Sequence, residues 1–210
     1  MLSGELRRGV KAVPHMPAEE RRADFLVAAA RAIARYGVAG ATTRVIAAEA
    51  DAPLGALHYC FRSKEELFTE LVDHAAMSML QMVVVDEGLG LGPTAAAIIR
   101  KHSDWLEREP DLALSTYDLY LWSLPRRKDL TVHMTQRTHQ WLVLTLQRGL
   151  LPDDAPELVD AMARLLVVHM DGLALQWFLH RDTQRLAAEA DDVTRALELL
   201  AAAGATARHP

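Results

Sequence analysis

Apolar residues recur along this chain at helical spacing, with Ala and Leu dominant and β-branched runs nearly absent. Pro and Gly fall between the periodic segments rather than inside them, which predicts an all-α protein of about nine helices. Phe25, Ala29, Ile33 and Tyr36 form the apolar stripe of a first helix that starts near Pro17 and ends at Gly37 and Gly40. Glu19 and Glu20 favour the positive end of its dipole. Two short helices are expected at 43–50 and 53–60. Ser63 and Glu66 then make a capping box for a fourth helix, in which Leu67, Phe68, Leu71, Val72, Ala75 and Met79 keep the pattern to about residue 85. Gly88, Gly90 and Gly92 mark 86–93 as a flexible loop. Further helices are predicted at 94–108, 111–124, 127–149, 156–181 and 185–203, punctuated by Pro110, Pro125, Pro152 and Pro156. The last two bear broad apolar faces, with Leu158, Met162, Leu165, Leu166, Met170, Leu173 and Trp177 on one and Val193, Leu197 and Leu200 on the other. Residues 1–15 lack periodicity and read as a mobile tail.

Residues 42–67 carry the most information. Two short helices are separated by Asp51, Ala52 and Pro53, and the second is too short to be stable alone. That arrangement is a helix-turn-helix, whose second helix enters the DNA major groove. Ile46 and Ala47 would pack against Leu57, while Gly55 and Ala56 keep the outer face low enough for base edges to approach. Phe61 closes the small core. Lys64 stands in the first turn of the fourth helix, where an ammonium and a helix N-terminus both suit a phosphate.

Ile46, Ala47, Ala50, Gly55, Leu57, Phe61, Ser63, Lys64, Glu65 and Leu67 fall in one fixed register. This stretch resembles the N-terminal domain of the TetR/AcrR transcriptional regulators, specifically over about residues 20–70. The resemblance implies a homeodomain-like three-helix head over 16–63 and an effector-binding and dimerisation domain over 64–210. Four positions depart from the family pattern. Asp51 replaces the turn Gly and tolerates left-handed backbone. Pro53 replaces a Ser cap, His58 a Tyr that contacts phosphate, and Cys60 a frequent His or Tyr.

Each candidate DNA contact carries a plainer alternative. Thr42 and Thr43 are helix caps or phosphate donors, and Arg44 reaches the DNA or solvates its face. Leu54 and Ala56 meet thymine methyls, or Leu54 packs inward. His58 contacts the DNA backbone or senses pH, and Tyr59 beside it can stand in as the phosphate contact. Lys64 meets a phosphate or simply solvates its helix. Cys60 is a redox switch or a small buried apolar residue. Arg7, Arg8 and Lys11 form a DNA-following arm or an idle tail.

Charge first argues against DNA, because 23 Lys and Arg face 28 Asp and Glu for a net −5. Divided after Lys64, it becomes +4 for the head and −9 for the body. The longest apolar run is six residues, 25–30, so no membrane span is expected. No apolar stretch follows Arg7, Arg8 and Lys11, and with one Cys the chain reads as cytoplasmic. No metal-ligand spacing, nucleophile arrangement or phosphate loop is present, so neither a metal, a cofactor nor an enzyme is expected.

All four Trp and several His fall in the predicted body, which in the resembled family surrounds the effector cavity. Trp105, Tyr117, Tyr120 and His169 are the candidate pocket residues for an apolar or amphipathic small molecule. The reading that follows is a homodimeric, ligand-responsive regulator, a repressor of a palindromic double-stranded operator. Its last two helices would pair into a four-helix bundle, with two heads roughly 34–36 Å apart. The fourth helix would relay the ligand's presence, freed by the glycine loop. Two other readings stay open: a DNA-binding regulator without an effector, and an all-helical scaffold or enzyme with a vestigial helix-turn-helix.

Overall fold

The computed structural model describes residues 18–82 and 84–206. Among them lie nine α-helices, a single 3-10 turn at Pro156–Leu158, and no strand. The helices are α1 (Ala18–Gly40), α2 (Thr43–Glu49), α3 (Leu54–Cys60), α4 (Lys64–Met82) and α5 (Leu91–Arg108). They continue with α6 (Pro110–Ser123), α7 (Lys128–Gly149), α8 (Val159–His180) and α9 (Thr183–Thr206). The fold class is all-α, as expected. The tail at 1–15, with Arg7, Arg8 and Lys11, lies outside the described residues, as does Pro17.

In the head, α1 packs against α2, α3, α4 and, most extensively, α6 of the body. Phe25, Ala29, Ile33, Ile46, Ala47, Leu57 and Phe61 are buried together. Phe25 and Phe61 meet edge to face, with ring centroids 6.3 Å apart. Asp51 holds a φ of 48°, so the turn keeps the left-handed geometry the family gives to glycine. Pro53 caps α3 without a side-chain hydrogen bond. Ser63 Oγ accepts from Glu66 N (3.1 Å), and the Glu66 carboxylate answers by accepting from Arg62 N (2.7 Å). The capping box therefore closes one residue earlier than its ideal form.

In the body, α5 is the central helix, packed against α4, α6, α7, α8 and α9. Three expectations change. Tyr36 is 53% exposed, because the apolar stripe of α1 ends at Ile33, one turn before the break at Gly37. The glycine segment is pinned, and α5 starts inside it at Leu91. Gly88 N and Gly90 N donate to the carbonyls of Arg148 and Gly149 at the end of α7 (3.0 and 2.7 Å). Asp154 Oδ2 accepts from Leu91 N and Leu151 N (2.9 and 2.7 Å), which ties the same corner together. These bonds occupy the backbone groups whose freedom would have made a hinge. Finally, Met162, Leu166, Met170, Leu173 and Trp177 of α8 are buried in the chain's own core. The apolar surface α8 leaves open lies instead on Val168, Leu175 and Leu179.

Candidate functional site

The outer face of the head is built on α3. Gly55, His58 and Tyr59 are exposed at i, i+3 and i+4, which sets them on one side of the helix. Tyr59 is 86% exposed, more than any other large apolar side chain among the described residues. A Cβ added at Gly55 would meet nothing within 4 Å, so nothing inside the protein requires glycine there. Arg44 and Pro53 are exposed beside them, and Thr43 is half-buried. Thr42 caps α2 by accepting from Val45 N (3.3 Å), which leaves its hydroxyl proton available. Leu54 and Ala56 are half-buried, packed in part against the core. Cys60 is buried, and burial pushes its thiol up.

Lys64 differs from the other candidates. Its ammonium donates to the Val38 carbonyl (3.1 Å) and stands 4.9 Å above the Phe68 ring. Burial pulls it below the ordinary lysine range. In this conformation it joins α4 to the end of α1 rather than reaching outward. Val38 N in turn donates to Asp118 Oδ2 on α6 (3.0 Å). Residue 38 thus links the head, α4 and α6 through its two backbone groups.

Two arginines outside the matched positions of the sequence motif also belong to the head. Arg22 donates to Glu70 and to the Cys60 carbonyl, and its guanidinium lies 4.6 Å above the Phe61 ring. It fixes the end of α3 against α1 and α4. Arg62 is exposed between α3 and α4. Position in the α3–α4 connection was the available signal for Arg62. Arg22 gave none, since its partners lie about forty residues away.

A half-open cavity of about 140 Å³ lies between α4, α5, α6, α7 and α8 of the body. Trp105, Tyr117 and Tyr120 line it. His169 does not: its Nδ1 lies 2.7 Å from the Leu165 carbonyl of its own helix, while Met170 and Asp171 face the cavity. Helical rotation of about 100° per residue separates these neighbours. Tyr117 donates to Asp171 Oδ1 (3.1 Å), and burial pushes both the phenol and the carboxyl up. Trp105 Nε1 donates to Ser78 Oγ on α4 (3.3 Å), so the cavity wall holds the helix that enters the head. Met79, Ala76, Arg137 and Thr138 also border a groove of about 440 Å³ between α4 and α7. There Asp73 accepts from His133 and Arg137 (3.1 and 2.9 Å).

His102, also in the cavity lining, is fully enclosed, with Nδ1 lacking a partner among the described residues. Burial lowers its imidazole from 6.5 to about 4. Between these values the unfolded chain binds a proton that the folded chain does not, so stability is complete above pH 6.5 and falls as the pH drops. The loss is expected to reach about 3 kcal/mol near pH 4. Urea unfolding across this window checks it, and His102→Leu should flatten this part of the profile.

The family model for bacterial regulatory proteins of the tetR family matches residues 25–71. The nicotine-responsive transcriptional repressor HdnoR of Paenarthrobacter nicotinovorans is 30% identical over 167 residues, covering 76% of this chain and 84% of the relative. The chain belongs to the TetR family. Solved TetR-like structures agree over most of its length. The multidrug binding protein EbrR, complexed with imidazole, has a TM-score of 0.61 and 28% identity over 88% of this chain and 96% of its own. The same protein complexed with ethidium gives 0.61 and 26% over 84% and 97%. A TetR-family member from Streptomyces coelicolor A3 gives 0.66 and 26% over 84% and 97%. As a TetR-family protein, the chain is a DNA-binding transcriptional regulator. No helix among its described residues is long and apolar enough to cross a membrane.

Proposed function

We propose that this regulator is a homodimeric repressor, released from a palindromic operator when a small organic molecule occupies the cavity between α4 and α8. The observation that carries the reading is the cavity's connection to the head. Trp105 in its wall holds Ser78 of α4, and α6, which contributes Tyr117 and Tyr120, holds Val38 through the adjacent Asp118. A ligand that displaces α4 or α6 moves the ends of the head helices with it, and a ligand that prefers one setting shifts the population of settings. Two helices therefore carry the signal, where the sequence pointed to the fourth alone.

The division into a head at 16–63 and a body at 64–210 describes the two tasks, although α1 packs on α6 across that boundary. The DNA face is assigned to Thr42, Thr43, Arg44, Pro53, Gly55, His58 and Tyr59, with Arg62 added. Leu54 and Ala56 support it from below, and Lys64 contributes by holding α4 to α1. Relatives favour a small-molecule effector, since HdnoR is described as nicotine-responsive and EbrR as multidrug binding. Trp105, Tyr117 and Tyr120 are the pocket residues retained, and His169 is dropped from the set.

The dimer surface is assigned to Val168, Leu175 and Leu179 of α8, which repeat at 7 and 4 on one face, together with Leu199 of α9. A stripe of this kind is costly to leave in water and suits a four-helix bundle between two copies. Sedimentation of the full chain tests this directly, with a dimer expected. The double substitution Leu175→Arg and Leu179→Arg should yield a helical monomer whose affinity for the operator falls by about 100-fold or more, because two linked heads become one. A wild-type monomer, or a double variant that stays dimeric, contradicts the assignment.

A further inference from the structure

The cavity contains an acid that the fold leaves incompletely satisfied. Asp171 sits on α8 beside Met170, in a helix whose inward face is otherwise apolar, and is half-buried. An ionised carboxylate can accept about four hydrogen bonds. Asp171 receives one among the described residues, from the Tyr117 hydroxyl, and has no ion-pair partner there. The nearby cation on the cavity rim, Arg137, is engaged by Asp73. A second polar group in the lining, His102 Nδ1, also lacks a partner. Partial burial without a counter-ion penalises the charged carboxylate, so an acid held in this way is a place where a cation is stabilised.

Size and wall chemistry narrow the class. The inner chamber is about 140 Å³. That is close to the roughly 150 Å³ of an apolar cavity that accepts one benzene ring. Trp105, Tyr117 and Tyr120 offer aromatic faces, which attract both a flat ring and an ammonium. The outer groove between α4 and α7 shares four lining residues with the chamber and gives room for a substituent.

We infer that the cavity selects small organic cations, with one aromatic ring in the inner chamber and its ammonium paired to the Asp171 carboxylate. The inference rests on the reading of this cavity as the effector site. Burial pushes the empty Asp171 carboxyl up, and an arriving ammonium offsets that penalty. Tyr117 is a positioning residue, because its hydroxyl orients the carboxylate toward the chamber. The Asp73–Arg137 pair at the rim keeps the arginine's charge from occupying the same acid.

Three probes of one shape and different charge test it on the full-length protein. N,N-dimethylbenzylamine is protonated at neutral pH, isobutylbenzene is its uncharged carbon isostere, and phenylacetate is an anion of similar size. Binding is read by calorimetry and by intrinsic tryptophan fluorescence, since Trp105 lines the chamber. The amine is expected to bind at least about ten-fold more tightly than isobutylbenzene, with phenylacetate weakest. In Asp171→Asn the ratio of amine to isobutylbenzene affinity should fall to about one. In Tyr117→Phe, where the carboxylate loses the hydroxyl that orients it, the ratio should fall part of the way toward one. Equal affinities in the wild type, or a preference that survives in Asp171→Asn, overturn the inference while leaving the cavity as an effector site. Failure of all three probes to bind overturns the effector-site reading, and this inference with it.

Discussion

Gly55→Glu is expected to raise the thermal stability of the protein while lowering its affinity for operator DNA by about 100-fold or more. The two effects have separate causes. Gly55 is an exposed helical residue whose added Cβ would meet nothing within 4 Å, so the side chain enters open space. Replacing glycine by a better helix former inside a short helix is worth about 0.5–1 kcal/mol. In the proposed complex, the same space is taken up by the major groove. A carboxylate there blocks close approach of the α3 backbone and faces phosphate charge. Fluorescence anisotropy with the DNA upstream of the chain's own gene, beside a thermal melt, reads both quantities. Unchanged DNA affinity in a folded Gly55→Glu protein would remove α3 from the interface.

Phe61→Ala is expected to cost about 3–5 kcal/mol, the range for deleting a fully buried aromatic ring. Phe61 is 1% exposed, meets Phe25 edge to face and lies beneath the Arg22 guanidinium. It holds α3 against α1, and a helix of seven residues has little stability of its own. Against a total of about 5–15 kcal/mol the loss is large, and it falls on the head first. Hydrogen exchange should therefore show α2 and α3 opening while α5 and α8 stay protected. DNA binding should weaken, and binding of a cavity ligand should persist. Uniform loss of protection throughout the chain would mean that head and body unfold as one unit.

The head was legible in sequence because its determinants are local. The capping box at Ser63 and Glu66, the turn at Asp51 and the buried set of Ile46, Leu57 and Phe61 all lie between residues 46 and 66. The structure keeps the turn and the buried set where the motif puts them, and shifts the return bond of the capping box to Arg62 N. Lys64 was legible as a helix-start residue, but its bond to Val38 spans 26 positions and depends on how α1 breaks at Gly37. Similar distances hid Arg22 from view. In the body, periodicity located α8 but could not divide its apolar residues between the chain's own core and an external face. Val168, Leu175 and Leu179 became distinct only once the core was assembled. Asp171 was obscured by the apolar residues around it, and His169 was selected for its chemistry although it lies off the cavity. Composition suggested that glycines at 88, 90 and 92 were flexible. Their backbone bonds to the end of α7 and the early start of α5 could not be read from residue type.

In the proposed function, occupancy of the cavity between α4 and α8 controls the head. The most direct measurement is an operator-binding isotherm of the full-length protein at fixed salt, with and without a ligand that calorimetry has placed at saturation. Saturation is expected to weaken operator binding by at least about ten-fold, a coupling within the range of two allosteric sites. Asp118→Ala, which removes the acceptor holding Val38, is expected to reduce that effect. An isotherm that does not move at saturating ligand would contradict the account and leave a DNA-binding regulator with no effector.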